Sequence, residues 1–169
     1  MSRIAMSMAA AAGFAVCLAT MPALASGKDE AAIRALETRF AAAFNAKDLD
    51  AIMKVYVPDD SLLVFDVVPP RQFAGANAYR KDWQELLALF PGPLKFEISD
   101  LHVVASGSLG YGHSIQHLSG ADAKGQTIDL TVRVTDVYRK IKGRWLVVHE
   151  HVSVPVDLTT GKPDLASKP

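Results

Sequence analysis

The chain has 169 residues, half of them hydrophobic, with 18 basic and 18 acidic side chains and no formal net charge. Without a basic stripe this balance excludes nucleic acid as a partner, and beyond residue 25 no apolar stretch is long enough to span a membrane. The only cysteine, Cys17, lies among the first 25 residues, so the chain beyond residue 25 carries no disulfide and no thiolate metal site.

Residues 1–25 read as a secretory signal peptide. Arg3 and the amino terminus are positive, Ile4 to Met21 is apolar, and Ala23-Leu24-Ala25 supplies a small-x-small cleavage site. Cleavage after Ala25 would deliver the protein to the periplasm or the exterior. About 144 residues then remain, enough for one hydrophobic core without disulfides. Without Arg3 the count is 17 basic and 18 acidic residues, a charge of −1.

Ile33, Leu36, Phe40, Ala43 and Phe44 recur at helical spacing and predict a first helix from about Asp29 to Asn45. Asp48 can cap a second helix in which Leu49, Ile52, Met53 and Tyr56 share a face, with Pro58 ending it. Ser61 to Asp66 reads as a short strand. Val67 to Ala74, with Pro69-Pro70, is extended or looped. Asn77 can cap a third helix whose Tyr79, Trp83, Leu86, Leu87 and Phe90 align, and Pro91-Gly92-Pro93 stops it. Helical spacing explains Tyr79, Trp83 and Phe90 as core residues.

Beyond them lie four longer strands, at Leu94–Ala105, Leu109–Ser119, Gln126–Lys140 and Arg144–Val154. Helices first and a strand meander last predict an α+β fold, with three N-terminal helices packed on a curved antiparallel sheet. Such a sheet, curling around helices, leaves a cone with a pocket at its open end. The folded domain spans residues 26–157, and residues 158–169 form a loose polar tail.

The last two strands form a hairpin that holds Arg133, Asp136, His149, Glu150 and His151 among Val and Leu. Buried charge is costly unless paired, so these groups indicate a polar cavity or interface. A three-residue turn would set Lys140 opposite Arg144, Tyr138 opposite Leu146, Asp136 opposite Val148, Val134 opposite Glu150, and Arg133 opposite His151. Cross-strand partners share a face. Asp136 and Glu150 then look inward, while Arg133, Trp145, Val147, His149 and His151 form an outer face suited to a homodimer. His149 and His151, like His113 and His117, have the i, i+2 or i, i+4 spacing that shares a strand face, so a four-histidine metal site is conceivable. Interface histidines explain the pattern better, and no metal or other cofactor is expected. No phosphate-binding glycine loop is present.

The segment Ala46 to Asp60 (AKDLDAIMKVYVPDD), then LLVFD at Leu62–Asp66, Gly75, and GRWLVVHEHVSVP at Gly143–Pro155 resemble the SnoaL-like and ketosteroid-isomerase-like branch of the NTF2-like superfamily. The resemblance runs from the first helix to Pro155. The closing W-x-x-x-H-x-H-x-S pattern is also similar to the association domain of calcium/calmodulin-dependent kinase. The resemblance implies a cone-shaped pocket. The isomerase members place a general-base aspartate where Asp66 stands, and an oxyanion-stabilising acid on the penultimate strand, which here carries Asp136, or Thr135 if the alignment slips by one. Their helix-1 tyrosine corresponds to Phe40, which has no hydroxyl, so steroid-type isomerisation is not implied. Tyr56 can replace that hydroxyl.

These readings leave two functions open. One is binding of a small apolar molecule, with cofactor-free acid/base chemistry of isomerase or dehydratase type by Asp66 and Asp136, and with Tyr56, Phe40, Trp83 and Glu150 around the ligand. The other is a non-catalytic ligand carrier or dimerisation module.

Overall fold

The computed structural model describes residues 23–166, so the expected signal-peptide run Ile4–Met21 lies outside the described residues. The elements run α1 (Ala23–Asn45), α2 (Leu49–Met53), β1 (Leu63–Phe65), β2 (Phe73–Ala74), α3 (Ala76–Leu89), β3 (Leu94–Ser106), β4 (Leu109–Ala121), β5 (Thr127–Ile141) and β6 (Arg144–Ser153). The fold is α+β, with a curved, unclosed sheet of strand order β2-β1-β6-β5-β4-β3. Every pair is antiparallel except one. β1 runs parallel to β6, with Val64 opposite Glu150, so the expectation of a purely antiparallel sheet is corrected at that edge. Chain reversal through α3 and three long strands makes β1 and β6 co-directional.

α1 lies across one face of the sheet because its apolar stripe needs cover. Ile33, Leu36, Phe40, Ala43 and Phe44 are all buried, and each fully buried large side chain contributes about 1.5–3 kcal/mol. Both ends are pinned by polar contacts. Asp29 accepts from Lys140 Nζ at 2.6 Å and from Trp145 Nε1 at 3.0 Å. The Asn45 carboxamide pairs with the Phe96 backbone, at 2.8 Å from its N–H and 2.9 Å from its carbonyl. A bulge between Ser99 and His102, with Asp100 at φ 51°, bends β3 beneath the helix.

Asp48 caps α2 as expected, accepting from Ala51 N at 2.9 Å. The helix ends at Met53, earlier than Pro58, and Val55–Val57 instead runs beside β6 through reciprocal 2.9 Å bonds with Val147. α3 starts after Gly75, not at an Asn77 cap. Gly75 sits at φ 88° and ψ 146°, where a Cβ would lie 3.1 Å from Asp60 Oδ1. The polar segment expected as a loose tail doubles back as far as Leu165, whose carbonyl accepts from Thr131 N at 2.8 Å.

The hairpin register differs from expectation. The turn is two residues, Lys142 (φ 49°) and Gly143 (φ 80°), and it pairs Ile141 with Arg144. Tyr138 then meets Val147, not Leu146. A bulge at Val148 resets the ladder, so that Asp136 lies opposite Glu150 and Thr135 opposite His151. The expected partners Asp136–Val148, Val134–Glu150 and Arg133–His151 are therefore corrected. Trp145 and Val147, expected outside, are buried for the same reason.

Candidate functional site

Side-chain alternation on β5 and β6 brings Asp136, Tyr138 and Glu150 to the face covered by α1. On β1, Val64 shares that face with Glu150, and Asp66, two residues on, returns to it. α1 adds Glu37, four residues after Ile33 and three before Phe40 on the apolar stripe. Glu37, Asp136 and Glu150 are 4%, 3% and 5% exposed.

Three tyrosine hydroxyls connect these acids. Tyr79 donates to Glu150 Oε1 at 2.5 Å and approaches Asp66 Oδ2 at 3.4 Å. Tyr56 donates to Glu150 Oε2 at 2.9 Å. Tyr138 donates to Glu37 Oε1 at 2.9 Å and lies 3.4 Å from Asp136 Oδ2. Asp136 lies directly opposite Glu150 across the β5–β6 ladder, and its Oδ1 has no hydrogen-bond partner among the described residues. The chain of contacts reads Asp66–Tyr79–Glu150–Asp136–Tyr138–Glu37.

None of the influences on the three buried acids comes from a cationic side chain. Burial raises all of them, because a lone carboxylate is poorly solvated there. Glu37 rises to about 7, against a weaker opposing pull from the Tyr138 hydroxyl. Glu150 also rises to about 7, with the Tyr79 hydroxyl the strongest opposing influence. Asp136 is pushed well above the carboxylate range by burial, then by repulsion from Glu150 and Glu37. Asp66 is raised by burial and held down by the Val67 backbone N–H and Tyr79. Protons are therefore held within the network near neutrality, and a protonated carboxyl can donate where a carboxylate cannot.

A cavity of about 390 Å³ opens onto this network. Phe40, Phe44, Trp83 and Phe96 form an aromatic wall, with Phe44 and Trp83 rings 5.0 Å apart and Phe40 and Trp83 rings 5.7 Å apart. Asp66, Tyr79 and Glu150 meet at the cavity's polar end, and Asp82, Glu85 and Gln116 also line it. A larger depression of about 730 Å³ lies between α1, α2 and the β5–β6 turn, but no carboxyl lines it and it is remote from the acid network.

Of the residues read from sequence, Asp66, Phe40, Trp83 and Glu150 line the cavity. Tyr56 and Asp136 do not. Both sit behind Glu150 and act through it. Asp66 and Asp136 are therefore not two walls of one pocket; Glu150 stands between them. Sequence reasoning missed Glu37, Tyr138 and the Tyr79 hydroxyl. It also missed Asp82, which lines the cavity from α3. The available signal was an acid at an apolar-stripe position, visible for Glu37 between Ile33 and Phe40 and for Asp82 beside Trp83. On the outer face His149 is more than an exposed ring, since its Nδ1 lies 2.8 Å from the Leu63 carbonyl and ties β1 to β6. His117 pairs with Asp129 at 2.5 Å.

The family model described as SnoaL-like domain matches residues 33–157. An NTF2-like protein of unknown function from Pseudomonas putida KT2440 is 33% identical, with 85% of this chain and 99% of that chain covered and a TM-score of 0.77. A nuclear transport factor 2 (NTF2-like) superfamily protein from Salmonella enterica serovar Typhimurium is 16% identical over 80% and 97% of the two chains, with a TM-score of 0.71. A ketosteroid isomerase-like protein from Erwinia carotovora atroseptica is 19% identical over 75% and 95%, with a TM-score of 0.64. At these lower identities the likeness is one of fold. No curated protein matches the chain.

Proposed function

The chain belongs to the SnoaL-like domain family of the NTF2-like superfamily, and from that premise we propose that it binds a small, largely apolar molecule in the cone cavity and moves a proton on it. One observation carries this reading: Asp66 and Glu150 meet through the Tyr79 hydroxyl in a cavity lined mainly by aliphatic and aromatic side chains. Asp66 is the proton acceptor. Glu150, held near its ionisation point, is the donor to the oxygen on which charge develops. Tyr56 lowers its proton affinity from behind, and Asp136, opposite Glu150 on β5 and outside the cavity, is a positioning residue. Phe40 supplies packing where the isomerases have a hydroxyl.

The test is exchange of carbon-bound hydrogen into deuterated water, monitored by NMR on a panel of small ketones that bind. Asp66→Asn should slow exchange by at least about a hundredfold while leaving affinity within a few fold. Equal exchange in Asp66→Asn removes Asp66 as the base. Binding with no exchange in the wild type leaves the carrier function instead.

The protein is proposed to be exported, on the Ile4–Met21 run and the Ala23–Ala25 site. Sequencing the N-terminus of secreted material should give Ser26. It is also proposed to be a homodimer through the outer sheet face, where Val104 and Tyr111 are exposed. Analytical ultracentrifugation at micromolar concentration should give twice the chain mass.

A further inference from the structure

The cavity lining is unbalanced in charge. Four carboxyl residues border it, namely Asp66, Asp82, Glu85 and Glu150, and not one lysine, arginine or histidine does. They form a gradient, from buried Glu150 through half-buried Asp66 and Asp82 to exposed Glu85. Glu85 has a cation of its own, Lys81 one turn away at 3.8 Å. Asp82 has none. It lies on the cavity face of α3, in step with Tyr79, Trp83 and Leu86, and among the described residues it makes no hydrogen bond or ion pair. Its charged neighbours are Asp66 and Glu85, both repulsive, and together with burial they lift its carboxyl to about 6.

A half-buried acid with only like charges beside it destabilises the free protein. A cation placed there would be attracted by both carboxyls in a region of reduced dielectric. The opposite wall is aromatic, and the faces of Phe and Trp rings attract ammonium groups. Beyond the acids the lining is apolar apart from Gln116 and the Tyr79 hydroxyl, with Val67, Val68, Leu86, Leu118, Val132 and Val152 completing the aromatic wall, so a hydrocarbon body fits beside the charge.

We propose that the ligand of this cavity is an organic cation, an apolar molecule whose ammonium group lies between Asp66 and Asp82 with its hydrocarbon body against Phe40, Phe44, Trp83 and Phe96. This rests on the reading of the cavity as a ligand site and narrows it to one chemical class. Carboxylates and phosphates are disfavoured, because they would meet four acids and no base. The ammonium also gives Asp66 and Asp82 a reason to ionise together, since it neutralises the repulsion between them.

Calorimetry with three probes of one shape tests this: 4-phenylbutylamine, 4-phenyl-1-butanol and 4-phenylbutyrate, at pH 8. The amine should bind at least about tenfold more tightly than the alcohol, and the carboxylate most weakly. Asp82→Asn should bring amine and alcohol to within about threefold while leaving the alcohol's affinity unchanged. Phe44→Leu should weaken amine and alcohol alike, because that ring meets the hydrocarbon body both probes share. If alcohol and amine bind equally, or the carboxylate binds best, the cation inference is overturned and the cavity remains a ligand site. If no probe binds at millimolar concentration, both readings fail. An amine preference that persists undiminished in Asp82→Asn also overturns the placement.

Discussion

Glu150→Gln tests the proton-holding network most directly. Glu37 and Glu150 ordinarily ionise near 4.5, and burial moves each to about 7. Raising a carboxyl by that amount corresponds to about 3 kcal/mol. Below pH 4.5 the folded and unfolded chains both hold the proton. Between 4.5 and 7 the unfolded chain has released it and the folded chain has not, so the folded state binds more protons and its stability falls as pH rises. Above about 7 the loss is complete. Glutamine has nearly the same shape and cannot ionise. It offers one oxygen where Glu150 uses two, Oε1 for Tyr79 and Oε2 for Tyr56. One tyrosine must therefore turn and accept, at a cost of about 1 kcal/mol. By pH 5 ionisation of the unfolded chain has already cost the wild type about 1 kcal/mol, so the variant should match it there and be about 2 kcal/mol more stable at pH 8. Urea unfolding at the two pH values measures both. The carboxyls held below their usual range, Asp29, Asp50, Asp59 and Asp157, titrate beneath this window and do not contribute. Parallel pH profiles for wild type and variant, or wild-type stability that rises with pH across the window, would refute the argument.

Other substitutions probe single contacts. Phe40→Ala removes a ring packed edge-on against Tyr56, Trp83 and Phe96, and thermal melting should show a loss of about 3–5 kcal/mol. Tyr79→Phe deletes the strongest influence lowering the Glu150 carboxyl. NMR titration of that carboxyl should place it higher than in wild type, and a downward movement would contradict the assigned hydrogen bond. Gly75→Ala puts a Cβ at φ 88° and 3.1 Å from Asp60 Oδ1. Chemical denaturation should register a loss of about 1–3 kcal/mol, and a neutral result would mean the backbone there relaxes freely.

Local chemistry made much of the fold readable. The Ile33–Phe44 stripe, the Asp48 cap and the Pro91-Gly92-Pro93 stop specify helices through short-range spacing. The strand meander and its turns are equally local. The hairpin register was not, because the shorter turn and the bulge at Val148 each move the pairing by one residue, and the bulge leaves no mark in the residue pattern. Two one-residue shifts restore the facing, so Asp136 and Glu150 look inward as expected although their cross-strand partners differ. The parallel pairing of β1 with β6 joins residues some 85 positions apart, and no periodicity reports it.

The sequence by itself determined the α+β class, the family resemblance and a set of acids too deep in apolar segments to be ordinary surface groups. Tertiary structure decided which acids share a space. Glu37 comes from α1, Asp66 from the end of β1, Asp82 from α3, and Asp136 and Glu150 from paired strands. Their mutual repulsion and shared protons exist only after folding brings them within a few ångströms, because electrostatic coupling depends on separation in space and on the dielectric around it. For the same reason Asp66, just past β1, faces the cavity, while Asp136 on β5 lies behind Glu150.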